Sequence, residues 1–358
     1  MKVNQDRLIK TFVDLVKIDS ESGEEQEVIN YLQKIMVDFG FNTVIDETGN
    51  LICSNSSNPK LLLAAHTDTV IPGKNIHPII EGNVIKTDGT TILGTDDKAN
   101  IAIILEILQV IKESNLEVSM EVIFTVGEEI GLVGSKNLDY TKIKSKVGLN
   151  LDGETGEIDT AEASIMVFDI EIIGKAAHSG MAPEKGINAI KIAAEAISVL
   201  DLGKIDEETT ANIGLIQGGT AINTVPEKVS IKAEVRSRSE EKFNYQIAII
   251  KETFEQITEK YGGTVEIKSE QTAFAYKVPV DDKLITVLKN SFVKNGVKPG
   301  LMEINAACDA NNFSRNGIKC VTTGGFGKNY HTTSEYLEID RLALGAESIL
   351  DAVLELTK

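Results

Sequence analysis

The chain has 358 residues, 42% of them hydrophobic and 25% charged, ordinary proportions for a globular protein long enough to form two domains. With 36 basic against 54 acidic residues its net charge is −18, and no basic cluster stands out, which excludes a nucleic-acid partner. We expect no membrane span and a cytoplasmic protein, because no run of about 18 apolar residues and no apolar leader is present.

The first part of the chain alternates between helical and strand-like hydrophobic patterns. Apolar residues at helical spacing predict two helices before residue 40 and another after Asp97. The predicted strands of this part cover residues 42–45, 51–54, 61–65, 122–126 and 149–152. This alternation predicts an α/β fold, a largely parallel sheet with helices on both faces.

The middle of the chain follows a different pattern. Strand-like alternation occurs at residues 165–173, 229–235 and 264–275, with helices predicted over 188–200 and 240–261. A compact β-α-β-β-α-β block of the ferredoxin-like, α+β kind fits this order. The α/β pattern returns after residue 279 and ends in a helix over 341–356, so the block interrupts a single larger domain.

Histidines and carboxylates stand where the predicted parallel strands end. His66 closes the segment 61–65, Glu128 and Glu129 follow 122–126, and Asp152 closes another apolar strand. Ligands of open α/β sheets bind beyond the carboxyl ends of the strands. Alone, each motif is explained by a polar turn. Their joint occurrence at strand ends predicts a functional site.

Two further motifs extend this set. Asp96 and Asp97 begin a predicted helix; we interpret Asp97 as a helix cap and Asp96 as a carboxylate free to bridge two cations. His331 follows a glycine-rich segment, and Asp68, two residues after His66, can orient that ring. Nitrogen and oxygen ligands without thiolate suit Zn²⁺, Co²⁺ or Mn²⁺ in a catalytic site. One bridging carboxylate, with a histidine and a carboxylate for each ion, predicts a two-metal hydrolase.

These motifs resemble a known enzyme family. The ordered set is His66-Thr67-Asp68, Gly94-Thr95-Asp96-Asp97-Lys98, Gly127-Glu128-Glu129 and His331. It is similar to the dimetal exopeptidases that include carboxypeptidase G, acetylornithine deacetylase and peptidase T, and residues 87–98 with Asp152 are most similar to the peptidase T group. The resemblance covers nearly the whole chain, but Asn100 replaces the glycine expected after Asp-Asp-Lys-Ala.

The resemblance implies a role for each residue. His66 and Asp152 would hold one divalent ion, and Glu129 and His331 would hold the other. Asp96 would bridge the two ions. Both ions would be Zn²⁺, with Co²⁺ or Mn²⁺ as alternatives. Asp68 would orient His66, and Glu128 would act as general base towards a metal-bridging water. The implied activity is release of the N-terminal residue from tripeptides.

The resemblance also implies a division into domains. A metal-binding catalytic domain would comprise residues 1–163 and 278–358, interrupted at 164–277 by a lid and dimerisation domain. Within it, His178, Asn223 and Arg236 would bind substrate. A homodimer through this domain is implied as well.

Some alternative functions remain compatible with the sequence, and others are excluded by it. Within the same family, the chain could be a deacylase of N-acyl amino acids or a carboxypeptidase. A catalytically inactive binding protein of this fold is the alternative of another class, but neither Glu128 nor any ligand has been lost. A dinucleotide site and a serine-hydrolase site are excluded, since G-x-G-x-x-G after the first strand and G-x-S-x-G are both missing.

Overall fold

The computed structural model describes residues 2–358, which form two compact units. Unit 1 comprises residues 2–161, 277–303 and 308–358, and unit 2 comprises Glu162–Tyr276 with Ile304–Ala307. The boundaries proposed from the sequence lie after residues 163 and 277. No sequence pattern indicated that the segment Ile304–Ala307 belongs with unit 2.

Helices and strands are numbered in chain order. The helices are α1 (Gln5–Val16), α2 (Gln26–Asp38), α3 (Thr95–Glu113), α4 (Val133–Lys136), α5 (Ala189–Val199), α6 (Glu240–Lys260), α7 (Lys283–Lys294), α8 (Asp309–Arg315) and α9 (Ile339–Leu356). The strands are β1 (Asn42–Ile45), β2 (Leu51–Ser54), β3 (Leu61–His66), β4 (Ile79–Glu81), β5 (Val84–Lys86), β6 (Met120–Thr125), β7 (Val147–Leu151), β8 (Glu157–Glu162), β9 (Ser164–Ile173), β10 (Gly203–Lys204), β11 (Thr209–Gly218), β12 (Lys228–Ser237), β13 (Thr264–Ala273), β14 (Tyr276–Lys277), β15 (Gly300–Glu303), β16 (Lys319–Thr323) and β17 (Tyr336–Glu338). Within residues 2–358, none of the helices combines the length and apolar character needed to cross a membrane.

The large sheet has the strand order β1-β2-β6-β3-β7-β16-β8-β14, with β15 beside β8. Its central strands β6, β3, β7 and β16 pair in parallel. The pairs β1–β2, β2–β6 and β16–β8 are antiparallel, whereas β15 is parallel to β8. Every residue of β3 and β6 is buried, as expected for continuously apolar strands covered on both faces. The α/β prediction is therefore confirmed, with a parallel centre inside a mixed sheet.

Local sequence explains why the first helix forms and where it packs. Asn4 caps α1 by accepting a hydrogen bond from the Arg7 N–H at 3.0 Å. The buried residues of α1 are Leu8, Phe12, Leu15 and Val16, which have the spacing of one helical face. This apolar face lies against α3 and α9.

The register of the central strands aligns the residues that end them. His66, the last residue of β3, pairs with Thr125, the last residue of β6. Leu151, the last residue of β7, pairs with Thr323 of β16. Because parallel strands share one direction, the segments after these residues leave the sheet at the same edge.

Unit 2 contains a five-stranded antiparallel sheet in the order β10-β11-β12-β9-β13, with α5 and α6 against one face. Its core includes Phe168, Ile192 and Phe254. The predicted β-α-β-β-α-β order is present, but β11 was not identified as a separate element. The outer half of β11 is exposed and Gly214 interrupts it, so the alternation that marks a half-buried strand is lost.

Candidate metal centre

Five side chains from separate parts of unit 1 meet beyond the carboxyl edge of the central sheet. They are arranged as two groups of possible metal ligands, within each of which the ligand atoms lie within 4.8 Å of one another. The first group is His66, Asp96 and Asp152, and the second is Asp96, Glu129 and His331. These are the two ligand sets that the resemblance implied.

Asp96 belongs to both groups and presents one oxygen to each. Its Oδ1 lies 2.8 Å from Nε2 of His66, and its Oδ2 lies 3.0 Å from Nε2 of His331. Asp152 completes the first group, with Oδ1 4.0 Å from the His66 Nε2 atom. Glu129 completes the second, with Oε1 2.9 Å from the His331 Nε2 atom. Such an arrangement suits a carboxylate that bridges two cations.

Asp68 is buried beneath His66 and contacts both the histidine and the acidic loop. The His66 Nδ1 atom lies 3.0 Å from the Asp68 carbonyl oxygen and 3.4 Å from its Oδ1 atom. The backbone N–H groups of Glu128 and Glu129 donate to the Asp68 carboxylate at 3.0 and 3.2 Å. With Nδ1 donating to Asp68, the lone pair of His66 is left on Nε2, the atom that faces the ligand group.

The interpretation of Asp97 as a helix cap is wrong. Asp97 Oδ2 accepts the backbone N–H of His66 at 2.9 Å, and Oδ1 accepts from the Asn100 side chain at 2.7 Å. Asp96 and Asp97 are not helical in φ and ψ, so the regular part of α3 begins after them. Asp97 thereby joins the start of α3 to the end of β3, a contact between segments far apart in sequence.

The carboxylates and imidazoles of this cluster lie so close together that they shift one another's pKa values. Burial would raise the pKa of Asp96, but hydrogen bonds from His331 and His66 outweigh burial and hold that pKa at about 2. The hydrogen bond to Asp96, together with the nearby Glu129 carboxylate, raises the pKa of His331 to about 10. Burial, with the charge of Glu128 beside it, raises the pKa of Asp152 well above its usual range.

Glu128 stands next to the ligands and is not a member of either group that contains Asp96. Burial raises the pKa of its carboxyl well above the usual range, and the nearby charges of Asp309 and Glu129 add to this effect. A third possible ligand group, His66 with Glu128 and Glu129, also meets the distance limit. Geometry alone therefore allows Glu128 to be either a ligand or a proton acceptor.

The side chains present fit two cations. Carboxylates greatly outnumber the two histidines in this buried region, and like charges at such distances repel each other unless a cation lies between them. The buried Glu129 Oε1 atom has no hydrogen bond of acceptable geometry, although it lies 2.9 Å from the His331 ring. A metal ion bound by both this oxygen and the imidazole nitrogen would give the oxygen the partner that it lacks.

The substrate-binding residues predicted in unit 2 fall into two places. His178 and Asn223 are exposed on paired segments, since Ser179 N–H donates to the Asn223 carbonyl at 3.0 Å. The His178 Nδ1 atom accepts from the N–H groups of Gly180 and Met181, which leaves Nε2–H as an outward donor. Arg236 lies near the other end of β12, half-buried, where Glu234 binds its guanidinium through two contacts of 3.0 Å.

Two buried carboxylates near the centre received no role from the sequence. Glu335 accepts hydrogen bonds from the backbone of Leu93, Gly94 and Thr95, and Asp309 accepts from the Thr125 hydroxyl at 2.5 Å. The sequence feature that could have identified Glu335 is its position four residues after His331, a candidate ligand. Asp309 has no such signal, since only the tertiary fold places it beside the end of β6.

Two family models match the chain. Residues 160–262 match a peptidase dimerisation domain, and residues 49–193 match peptidase family M28.

Solved structures and a curated relative match over nearly full length. An aminopeptidase PepT from Bacillus cereus is 40% identical, covers 99% of this chain and 100% of its own, and superposes with a TM-score of 0.93. A tripeptidase from Staphylococcus aureus is 35% identical, covers all of both chains, and has a TM-score of 0.96. Peptidase T from Clostridium perfringens is 27% identical over 96% of this chain and 97% of its own length.

Proposed function

The chain belongs to the peptidase T-like dimetal peptidases and is a metallopeptidase, and on this basis we propose that it releases the N-terminal residue of tripeptides. The observation that carries this proposal is the pair of ligand groups that share Asp96, with Glu128 beside them. Both ligand groups contain one histidine and one further carboxylate. This composition suits hydrolysis of an amide by an activated water.

Two ions of Zn²⁺ are the proposed cofactors, with Co²⁺ or Mn²⁺ as substitutes. His66 and Asp152 would hold one ion, Glu129 and His331 the other, and Asp96 both. A ligand set of imidazole and carboxylate without thiolate supports this assignment. When bound, such ions polarise the scissile carbonyl and stabilise negative charge on its oxygen.

Glu128 is the proposed general base and then general acid. Its carboxylate takes a proton from the attacking water and delivers it to the amine that leaves as the peptide bond breaks. The raised pKa of Glu128, caused first by burial, supports this role because a base with a pKa nearer neutrality can both accept and return a proton. Asp68 supports the reaction indirectly by holding His66 and the backbone of Glu128 and Glu129.

Unit 2 is the proposed lid, and its residues His178, Asn223 and Arg236 are the proposed contacts with the peptide. Arg236 lies eight residues along β12 from Lys228, the strand residue nearest the Asn223 segment, a separation of about 26 Å at the usual rise of a strand. An extended tripeptide spans only about 10 Å. One substrate therefore cannot contact His178 and Arg236 of the same lid.

This separation supports a homodimer. If all three lid residues bind one peptide, His178 and Asn223 must come from one subunit and Arg236 from another. The match of residues 160–262 to a peptidase dimerisation domain supports the same assembly.

A cytoplasmic location is proposed on the chemistry of the cysteines. Cys53, Cys308 and Cys320 are buried, and none of the three forms a disulfide. Cysteines that stay reduced are typical of a reducing compartment.

Hydrolysis of a matched peptide panel tests the proposed activity. The panel contains an unblocked tripeptide, its N-acetylated and C-amidated forms, a dipeptide and an N-acetyl amino acid. Each is incubated with purified protein and Zn²⁺, Co²⁺ or Mn²⁺. We expect release of the N-terminal residue from the unblocked and the C-amidated tripeptide only, and loss of that activity on addition of a chelator.

The other results of this panel have definite meanings. Cleavage of the N-acetyl amino acid would identify a deacylase, and release of the C-terminal residue would identify a carboxypeptidase. A protein that binds two ions and cleaves nothing in the panel would contradict the proposed substrate class. A protein that binds no metal would overturn the dimetal site itself.

A further inference from the structure

Glu335 is a buried carboxylate that binds the backbone of a distant segment. It lies between His331 and β17 along the chain, and the residue is 2% exposed. One oxygen accepts from the N–H groups of Leu93 and Gly94 at 2.6 and 2.7 Å. The other accepts from the Thr95 N–H at 2.8 Å and from the Thr95 hydroxyl.

These hydrogen bonds hold the segment that leads into α3. Gly94 has a φ of +78°, and no side chain of its own caps the helix. The N–H groups of Leu93, Gly94 and Thr95 belong to buried residues before the regular part of the helix, and buried N–H groups need an acceptor. Glu335 supplies it from about 240 residues further along the chain.

The two segments joined by Glu335 carry two members of the second ligand group. Asp96 directly follows Thr95, and His331 precedes Glu335 by four residues. His331 and Asn329 both have positive φ values, 62° and 57°, which side chains other than glycine rarely adopt. A loop in this conformation needs external contacts to hold it, and Glu335 provides one at the start of α3.

We propose that Glu335 is a positioning residue of the metal centre, which fixes the distance between Asp96 and His331 so that both can bind the second ion. The inference rests on the proposed dimetal function of the site. It concerns only this chain's own hydrogen bonds, and Glu335 belongs to none of the possible ligand groups. Burying its charge is costly, since burial raises the pKa of Glu335 despite the surrounding N–H donors.

Replacement of Glu335 by glutamine is the direct test. The side chain keeps its size, but one oxygen becomes an NH₂ group that faces N–H donors, so at least one hydrogen bond is lost. We expect the affinity for the second Zn²⁺ to fall by about 10–100-fold, the usual effect of losing a residue that orients a ligand. The first Zn²⁺ should be affected less, because His66 and Asp152 are placed by β3 and β7.

Glu121 provides a matched control. It is 1% exposed and its carboxylate accepts backbone N–H groups of Lys144 and Ser145, at the end of the sheet away from the ligands. Glu121→Gln should lower the melting temperature of the metal-free protein in the same way as Glu335→Gln. It should leave both Zn²⁺ affinities at the wild-type values.

The measurement is a Zn²⁺ titration in competition with a chromophoric chelator, together with thermal unfolding of the metal-free proteins. If Glu335→Gln binds two Zn²⁺ ions as tightly as the wild type and loses only thermal stability, the proposal is overturned. Should that variant fail to fold, Thr95→Val decides the question, because it removes only the hydroxyl contact. A several-fold loss of second-site affinity in Thr95→Val supports the proposal, and an unchanged affinity overturns it.

This test remains separate from the proposed peptidase activity, since no substrate is used. A wild-type protein that binds two Zn²⁺ ions but cleaves no peptide would contradict the activity and still allow the comparison of Glu335→Gln with Glu121→Gln.

Discussion

At the scale of single residues, the site depends on how Asp96 is held. Its two oxygens face two different histidines, at 2.8 and 3.0 Å, and so define the two ligand groups. Neither direction follows from the Asp-Asp pair in the sequence, which is equally typical of a helix cap. The neighbouring Asp97 accepts the backbone N–H of His66 and so fixes the turn from which Asp96 projects.

Replacement of Glu128 by glutamine distinguishes a general base from a ligand. We expect kcat to fall by about 10²–10⁴-fold, because the amide cannot accept the proton of the attacking water. Zn²⁺ stoichiometry should remain at two per chain, since neither ligand group with Asp96 includes Glu128. Steady-state kinetics and metal analysis check both parts.

The matched control for this variant is Glu154→Gln. Glu154 lies two residues after Asp152 and is paired with Lys328 instead of facing the ligands. It should retain most of the activity. Loss of one Zn²⁺ ion in Glu128→Gln would assign Glu128 to the third ligand group, and substantial residual activity would remove it as the base.

At the scale of elements, α3 connects the site to the rest of unit 1. Its first turn carries Asp96 and Asp97, and its middle packs against α1. Glu106 on α3 is buried and binds Arg7 of α1 through two contacts, at 2.6 and 2.9 Å. The N–H of Asn4, the N-cap residue of α1, donates a third hydrogen bond to Glu106. One carboxylate therefore binds both the N-cap residue and the first turn of this helix.

Replacement of Arg7 by methionine tests this anchor. It keeps the apolar stem and removes the guanidinium, leaving the Glu106 charge with one remaining donor. We expect a loss of about 1–3 kcal/mol in the free energy of unfolding, typical of a buried group deprived of its partner. Urea denaturation followed by far-ultraviolet circular dichroism measures this change.

Lys10→Met on the same helix is the control. Lys10 pairs with Asp14 at the surface, with the Lys10 side chain largely exposed and that of Asp14 partly exposed. Water and salt screen such a pair, so its loss should destabilise the protein much less than Arg7→Met does. Equal effects of the two substitutions would contradict the view that the Arg7–Glu106 pair anchors α1.

At the scale of the whole molecule, unit 2 has one sheet edge suited to association. Strand β10 covers only Thr210 and Ala211 of β11, so the rest of that strand has no partner on this side within residues 2–358. Leu215 and Ile216 are exposed there, at 56% and 51%. The opposite edge strand, β13, instead presents charged residues such as Glu266 and Lys268, which discourage pairing between chains.

Sedimentation velocity tests the proposed dimer and its edge. The wild type should sediment at twice the 38.8 kDa of one chain. A double variant, Leu215→Lys with Ile216→Lys, should sediment as a folded monomer, because lysine on an open edge opposes strand pairing.

Glu266→Lys on β13 is the control and should remain a dimer. A wild-type protein of single-chain mass at micromolar concentration would contradict the proposed assembly. A double variant that remains dimeric would show that β11 is not the edge that pairs.

The amino-acid sequence predicts the fold class and the family correctly, and it supplies the candidate metal ligands. Continuous apolar runs predict buried central strands, and polar residues directly after such runs must lie at the carboxyl edge of the sheet. The local pattern therefore makes His66, the Glu128-Glu129 pair and Asp152 candidates, and the family resemblance selects Glu129 of the pair as the proposed ligand. The alternation of unit 2 likewise predicted its order, except for β11, whose exposed half carries no periodic signal.

Which distant groups hold these residues in place depends on the tertiary packing. Asn100, which departs from the family pattern, donates to Asp97 and accepts the N–H of Gly325, and Glu335 binds the start of α3. The Asn100–Gly325 and Thr95–Glu335 contacts each join segments more than 220 residues apart. Hydrophobic periodicity records which face of an element is buried, but it contains no information about which buried polar groups will meet, since that depends on how the elements pack.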